Sequence, residues 1–146
     1  MKKYLFLFIF ISLTFCAQNS NLRKFILTAI PWEFKNCGSE NDPMVVTAIT
    51  LDAVPEKSVS DDITIVGVSN VHDKIIQARI DVFLQNVKIT SLNQPFVQEA
   101  DPGDQWIFKY GSFIPNIAPT GRYTIKFTFL NSSQLQLACA SLEMDL

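Results

Sequence analysis

Cys37 and Cys139 stand 102 positions apart, and between them run alternating apolar and polar residues with no convincing helix. A third cysteine, Cys16, sits in an N-terminal stretch that reads as a cleaved leader. In the chain-entropy model, a cystine closing a loop of that size stabilises a fold by roughly 4 to 5 kcal/mol. It would join the first strand of the mature protein to the last, an arrangement suited to a β-sandwich made in an oxidising compartment. Free reactive thiols are the other use of such a pair, and a secretory context favours structural pairing.

That context rests on Met1 to Ala17. Lys2 and Lys3 make a basic start, Tyr4 to Phe15 is apolar apart from Ser12 and Thr14, and small residues follow at Cys16 and Ala17. The apolar run falls short of the ~20 residues a membrane-spanning helix needs, as secretory signals do. Bulky Phe15 precedes Cys16 where a lipid-anchor signal wants a small residue. No later stretch is long and apolar enough to span a bilayer, so the expected product is soluble, in the secreted or endolysosomal lumen. Without residues 1–17, and so without Lys2 and Lys3, the chain keeps 10 basic against 14 acidic residues, a net charge of −4. That balance gives no electrostatic footprint for nucleic acid. About 129 residues remain, enough for one core and one domain, and a monomer is expected. They carry eight phenylalanines and both tryptophans. Asn131-Ser132-Ser133 is a sequon, so Asn131 is a candidate glycan acceptor.

Residues 18–30 form a polar lead-in that runs into the start of a first strand, and 31–146 form the domain. Strand signals cover Ile26 to Cys37 (interrupted by Pro31), Met44 to Ala53, Ile63 to Ser69, Lys74 to Ile89, Trp106 to Phe113, Tyr123 to Leu130 and Leu135 to Met144. The fourth is long and is expected to bend or bulge near Asn86. Turn chemistry separates the segments, as in Asp101-Pro102-Gly103-Asp104 and Pro119-Thr120-Gly121. About seven short strands of this kind predict an all-β, immunoglobulin-like two-sheet sandwich. In the fourth strand Ile76, Ala78, Ile80, Val82 and Leu84 share a face; in the sixth, Tyr123, Ile125, Phe127 and Phe129 do. Ile63 to Val68 is apolar on both faces and leaves its inner side open. The last strand changes parity near Cys139, as a bulge would make it do.

Catalytic chemistry is hard to find. His72 is the one histidine; beside Asp73 in a turn, it has no nucleophile to serve and reads as a solvated residue. One histidine and a paired cystine cannot make a zinc site. There is no Gly-x-Ser-x-Gly elbow or phosphate-binding glycine loop, and Asp61-Asp62 and Asp101 to Asp104 lack the ligand spacing of a calcium loop. Neither an enzyme nor a cofactor or metal is expected.

Two sets of residues carry a resemblance. Trp32-Glu-Phe-Lys-Asn-Cys37-Gly38-Ser39, a strand ending near Pro55 and Ile63-Thr-Ile65-Val-Gly67 resemble the start of an ML lipid-recognition domain. Pro119-Thr-Gly121-Arg-Tyr123-Thr-Ile125-Lys-Phe127 and Leu137-Ala-Cys139 resemble its closing hairpin. The likeness covers about residues 31 to 146 and is nearest the phosphatidylglycerol/phosphatidylinositol transfer proteins and the Niemann-Pick type C sterol carriers. It implies that Cys37 pairs with Cys139, and that the sheets part to admit a lipid. Those relatives usually have further disulfides, for which this chain has no cysteines.

The resemblance therefore implies a soluble lipid-binding protein that moves sterol or phospholipid between membranes, touching their surfaces transiently. A chain of sixteen carbons buried between the sheets would contribute on the order of 10 kcal/mol. The expected cavity wall is Ile49, Leu51, Ile65, Ile80, Val82, Phe108, Tyr110, Ile125, Phe127 and Phe129, with a mouth near Phe96, Phe113 and Ile114. Lys88 and Lys109 are candidates for a phosphate head group, against their ordinary use as solvated lysines. The competing reading is a secreted interaction or adhesion module in which the same inward residues form a closed core.

Overall fold

The structure is a computed structural model that describes residues 32–146. The leader, the lead-in and the part of the first predicted strand before Trp32 lie outside the described residues. Eight strands follow one another: β1 (Trp32–Asn36), β2 (Met44–Leu51), β3 (Ser60–Ser69), β4 (Asp73–Leu84), β5 (Val87–Ala100), β6 (Gln105–Phe113), β7 (Arg122–Leu130) and β8 (Gln136–Asp145). They form two antiparallel sheets, a larger one ordered β1-β8-β7-β4-β5 and a smaller one ordered β2-β3-β6. The expected two-sheet β-sandwich is the fold observed.

Alternation sets the inner rows. Phe127 stands between Ile80 and Ala140, and Phe129 between Ala78 and Ala138. Small alanines beside each ring leave it room, so large and small side chains interdigitate as a close-packed interior requires. Trp106 solves the same problem in the smaller sheet by lying across Gly67, its ladder partner. A Cβ at Gly67 would sit 2.2 Å from the indole Cζ2. The inner side of β3, left open by the sequence, is that of Asp61, Ile63, Ile65, Gly67 and Ser69.

Three details depart from the expected strands. The segment Lys74 to Ile89 is not one bent strand: Gln85 and Asn86 take φ of 49° and 68°, and the chain reverses there into β5. Two successive positive φ values match a primed hairpin turn. The β4 ladder slips between Ile75 and Gln77, so Ile75 rather than Ile76 is buried, and the expected face resumes at Ala78. In β8 the irregularity falls at Leu137, where Phe129 faces Ala138 but Leu130 faces Gln136. That position is close to the predicted parity change.

Cys37 and Cys139 are bonded, with Cα atoms 5.1 Å apart. The last β1–β8 ladder pair is Asn36 with Ala140, so the cystine prolongs that ladder by one rung and ties first strand to last. Asn131 lies in the β7–β8 turn. Its Oδ1 accepts from the backbone N–H of Ser133 and Leu135, and its Nδ2 donates to Asp73.

Candidate functional site

The two sheets are unequal, and this decides where space is left. Three strands cannot cover five, so β5 is a long edge with Val87, Ile89, Leu92 and Val97 exposed. Near the β5–β6 turn the gap is filled. Trp106 packs on Phe129 with ring centroids 4.6 Å apart, and Phe108 meets Phe129 at 5.4 Å and Phe127 at 6.3 Å. Phe96 adds its edge to Phe108 at 5.0 Å and to Phe129 at 6.1 Å. There the Gln98 side-chain amide also bridges to β6, accepting from the N–H of Ile107 and donating to the carbonyl of Gln105.

Toward the opposite end the stacked phenylalanine rings give out, with Tyr110 and then the small Ser112 following Phe108 along β6 and Ile125 following Phe127 along β7. A cavity of about 400 Å³ opens between the sheets there. Val82, Thr90, Tyr123, Ile125 and Met144 wall it from the larger sheet, and Tyr110 and Ser112 from the smaller. Its rim is Ile89, Leu92, Phe113, Leu146 and the β6–β7 loop, where Ile114, Pro115, Ala118 and Pro119 face inward. The Tyr123 hydroxyl donates to the Pro119 carbonyl at 2.9 Å, pinning that loop to β7. Gly121 exchanges two backbone hydrogen bonds with Leu146, of 3.0 and 3.1 Å; its φ of 148° is one that side chains rarely adopt. At the tip of the loop Ile117 is 92% exposed, and Phe113 is 61% exposed.

The structure divides the expected wall. Val82, Tyr110 and Ile125 line the cavity, as do Phe113 and Ile114 from the expected mouth. Ile49, Ile65, Ile80, Phe108, Phe127 and Phe129 are packed solid in the core, and Leu51 and Phe96 lean against it half-buried. Thr90 and Leu92 went unread because β5 was not recognised as a strand, and Ile89 was taken as the end of the strand before it. Tyr123 was legible, since it shares the inward parity of Ile125.

Charge is kept outside this space. Alternation turns Lys109 away from Phe108 and Tyr110, and Lys88 reaches Asp81 at 2.6 Å on the outer face of the larger sheet. Burial pushes the Asp81 carboxyl up, but hydrogen bonds from Lys88 and Ser91 and the charges of Lys88 and Arg79 outweigh it, so its pKa lies below the usual value. Glu143 accepts from Lys35 at 2.9 Å and Arg122 at 2.6 Å on the same face. The Lys35 hydrogen bond, with that from Arg122, holds its carboxyl below the ordinary range despite some burial. Within the cavity, burial raises the Tyr110 phenol. Among the described residues no cluster of His, Cys, Asp and Glu is placed to hold a metal ion.

No protein-family model matches the chain. A Dictyostelium discoideum protein, provisionally named a phosphatidylglycerol/phosphatidylinositol transfer protein, is 28% identical over 122 residues, spanning 77% of this chain and 85% of its own length. A Niemann-Pick type C2 protein from the Japanese carpenter ant superposes with a TM-score of 0.62 at 16% identity, over 77% of this chain and 98% of that one. Chicken MD-1, solved in complex with lipid IVa, gives 0.55 at 17% identity, over 78% and 88%. The fold is the immunoglobulin-like β-sandwich of those two structures. Its cystine and β7–β8 hairpin are the elements from which the resemblance was read at the two ends of the sequence, and the sandwich is hollow at the end where the β6–β7 loop lies.

Proposed function

We propose that this chain binds a lipid, a sterol or a phospholipid, in the cavity between its sheets and carries it between membranes without chemical change. The observation that carries the reading is the 400 Å³ space among Val82, Tyr110, Tyr123, Ile125 and Met144. Pockets of a few hundred cubic ångströms lined by apolar and aromatic side chains suit small apolar ligands. A site whose work is to hide apolar surface from water needs no catalytic group.

The rim supplies a way in. Phe113, Ile117 and Ile89 expose apolar surface around the mouth, and an exposed apolar patch of this kind marks an interaction surface. A transient contact with a membrane lets lipid pass from bilayer to cavity without crossing water. The leader read from Met1 to Ala17 and the cystine favour work in the secreted or endolysosomal lumen.

Native mass spectrometry of the secreted protein, before and after organic extraction and reloading, tests the reading. A carrier arrives with lipid, loses it on extraction and regains one equivalent. A protein that arrives empty and takes up no lipid from vesicles would instead be an interaction module, and the carrier reading would be wrong.

A further inference from the structure

The cavity holds an indication of which lipid head it accepts. No described side chain that lines it is charged. Thr90, Tyr110 and Ser112 bring hydroxyls to its surface, while the Tyr123 hydroxyl is committed to the Pro119 carbonyl. Four basic residues adjoin the lining residues in sequence, and all are turned elsewhere; Lys126 stands opposite Asp81 on the outer face of the larger sheet. Lys88 is held by Asp81 and Arg122 by Glu143, each at 2.6 Å on the outer face of the larger sheet, and Lys109 points out of the smaller one. An anionic head drawn into this space would lose its hydration and find no cationic side chain in the lining to replace it, which is unfavourable.

A carboxylate makes the mismatch worse. Asp61 stands opposite Ser112 in the β3–β6 ladder and is buried on the inward side of β3 with Ile63 and Ile65. Its Oδ1 accepts from the backbone N–H of Ala53 at 2.9 Å. A phosphate beside Ser112 would face a buried negative charge, whereas a hydroxyl can both donate to an acceptor there and accept from the Tyr110 or Ser112 hydroxyl.

We propose that the cavity selects lipids whose polar end is an uncharged hydroxyl and excludes the anionic head of a phospholipid. This rests on the carrier reading and narrows it: of sterol and phospholipid, the hydroxyl-headed class is the one admitted whole.

Probes with one tail and different heads test it: dodecanol, dodecyl phosphate, dodecylammonium and dodecane, below their aggregation limits, titrated into delipidated protein by calorimetry. Dodecanol is expected to bind at least ten-fold tighter than either ion. Tyr110→Phe and Ser112→Ala should each weaken dodecanol by about five-fold, the worth of a typical hydrogen bond, and leave dodecane unchanged. Asp61→Asn, checked for folding, should raise dodecyl phosphate affinity several-fold. Phosphate or ammonium binding as tightly as the alcohol overturns the selection while the carrier reading stands. So does dodecanol affinity that neither hydroxyl variant moves. Failure of all four probes to bind sinks the carrier reading itself, and the selection with it.

Discussion

At the scale of single residues, two positions have sharply defined environments. Gly67 exists so that Trp106 can lie flat on β3, with the indole braced from behind by Phe129 at 4.6 Å. The obstructing atoms are a ring in a packed layer, so Gly67→Ala must shift either the indole or the strand. Overpacking of this kind costs about 1–3 kcal/mol, and a lowered urea midpoint with a shifted Trp106 emission should report it. His72 is the other. Its Nδ1 meets Asp101 at 2.6 Å, and that hydrogen bond and the Asp101 charge, with Glu99 and Asp73 nearby, raise its pKa above the ordinary 6.5. A group whose folded pKa is raised contributes stability that is fully present below its unfolded value and lost as pH climbs through the folded one. The protein should therefore be slightly more stable at pH 5.5 than above the raised pKa of His72. His72→Gln should flatten that part of the urea-midpoint profile, and an unchanged slope would remove the Asp101 contact from the account.

Among the elements, what the sequence made legible and what it hid have physical causes. β7 was readable because both its faces declare themselves, aromatic inside and Thr124, Lys126 and Thr128 outside. The cystine was readable because, with Cys16 assigned to an expected leader, Cys37 and Cys139 were the pair left. β5 was not, for two reasons. As an edge strand that meets the smaller sheet only near Phe96 and Gln98, it is exposed along its first half, so apolar and polar residues stand alike in solvent there and no contrast marks the inner face. Its turn, Gln85-Asn86, lacks the glycine that usually announces a primed hairpin. Losing β5 hid Ile89 and Leu92 of the cavity's rim and Thr90 of its wall, and the aromatic run of β6 and β7 was then read as wall where it is packed core. The turn carries a strain that can be relieved. Gln85 and Asn86 both sit at positive φ, a region that costs L-residues about 1–2 kcal/mol and that asparagine and glycine visit most easily. Replacing the pair by Asn-Gly should add about 1 kcal/mol to unfolding free energy with lipid uptake unchanged. A destabilised variant would mean that the turn is held in place by contacts the backbone angles do not reveal.

For the whole molecule, the decisive property is that one end of the sandwich is full and the other empty, and the two ends should answer substitution with opposite signs. Phe127 lies at the filled end, with Phe108 and Tyr110 rings against it at 6.3 and 5.9 Å, so enlarging it strains a packed layer. Val82 is two rungs nearer the mouth on β4 and looks into the cavity between Ile125 and Thr90, its ladder partners. Val82→Phe puts a ring into space that water or lipid would otherwise occupy. Cavity filling commonly adds 0.5–2 kcal/mol, here about 1 kcal/mol, to stability. If the empty end is where lipid sits, that gain comes with at least a ten-fold loss in lipid affinity, read by native mass spectrometry beside a urea melt. In a sandwich whose gap is merely imperfect packing, stability would rise and nothing else would change. The rim completes the comparison, because Ile117→Asp touches no wall of the cavity and should leave equilibrium binding intact. It removes apolar surface worth about 1.5–3 kcal/mol if fully buried in a membrane, so vesicle-to-vesicle transfer should slow by roughly ten-fold or more. Transfer unaffected by Ile117→Asp would place the membrane contact elsewhere on the molecule, while binding unaffected by Val82→Phe would remove the cavity from its function.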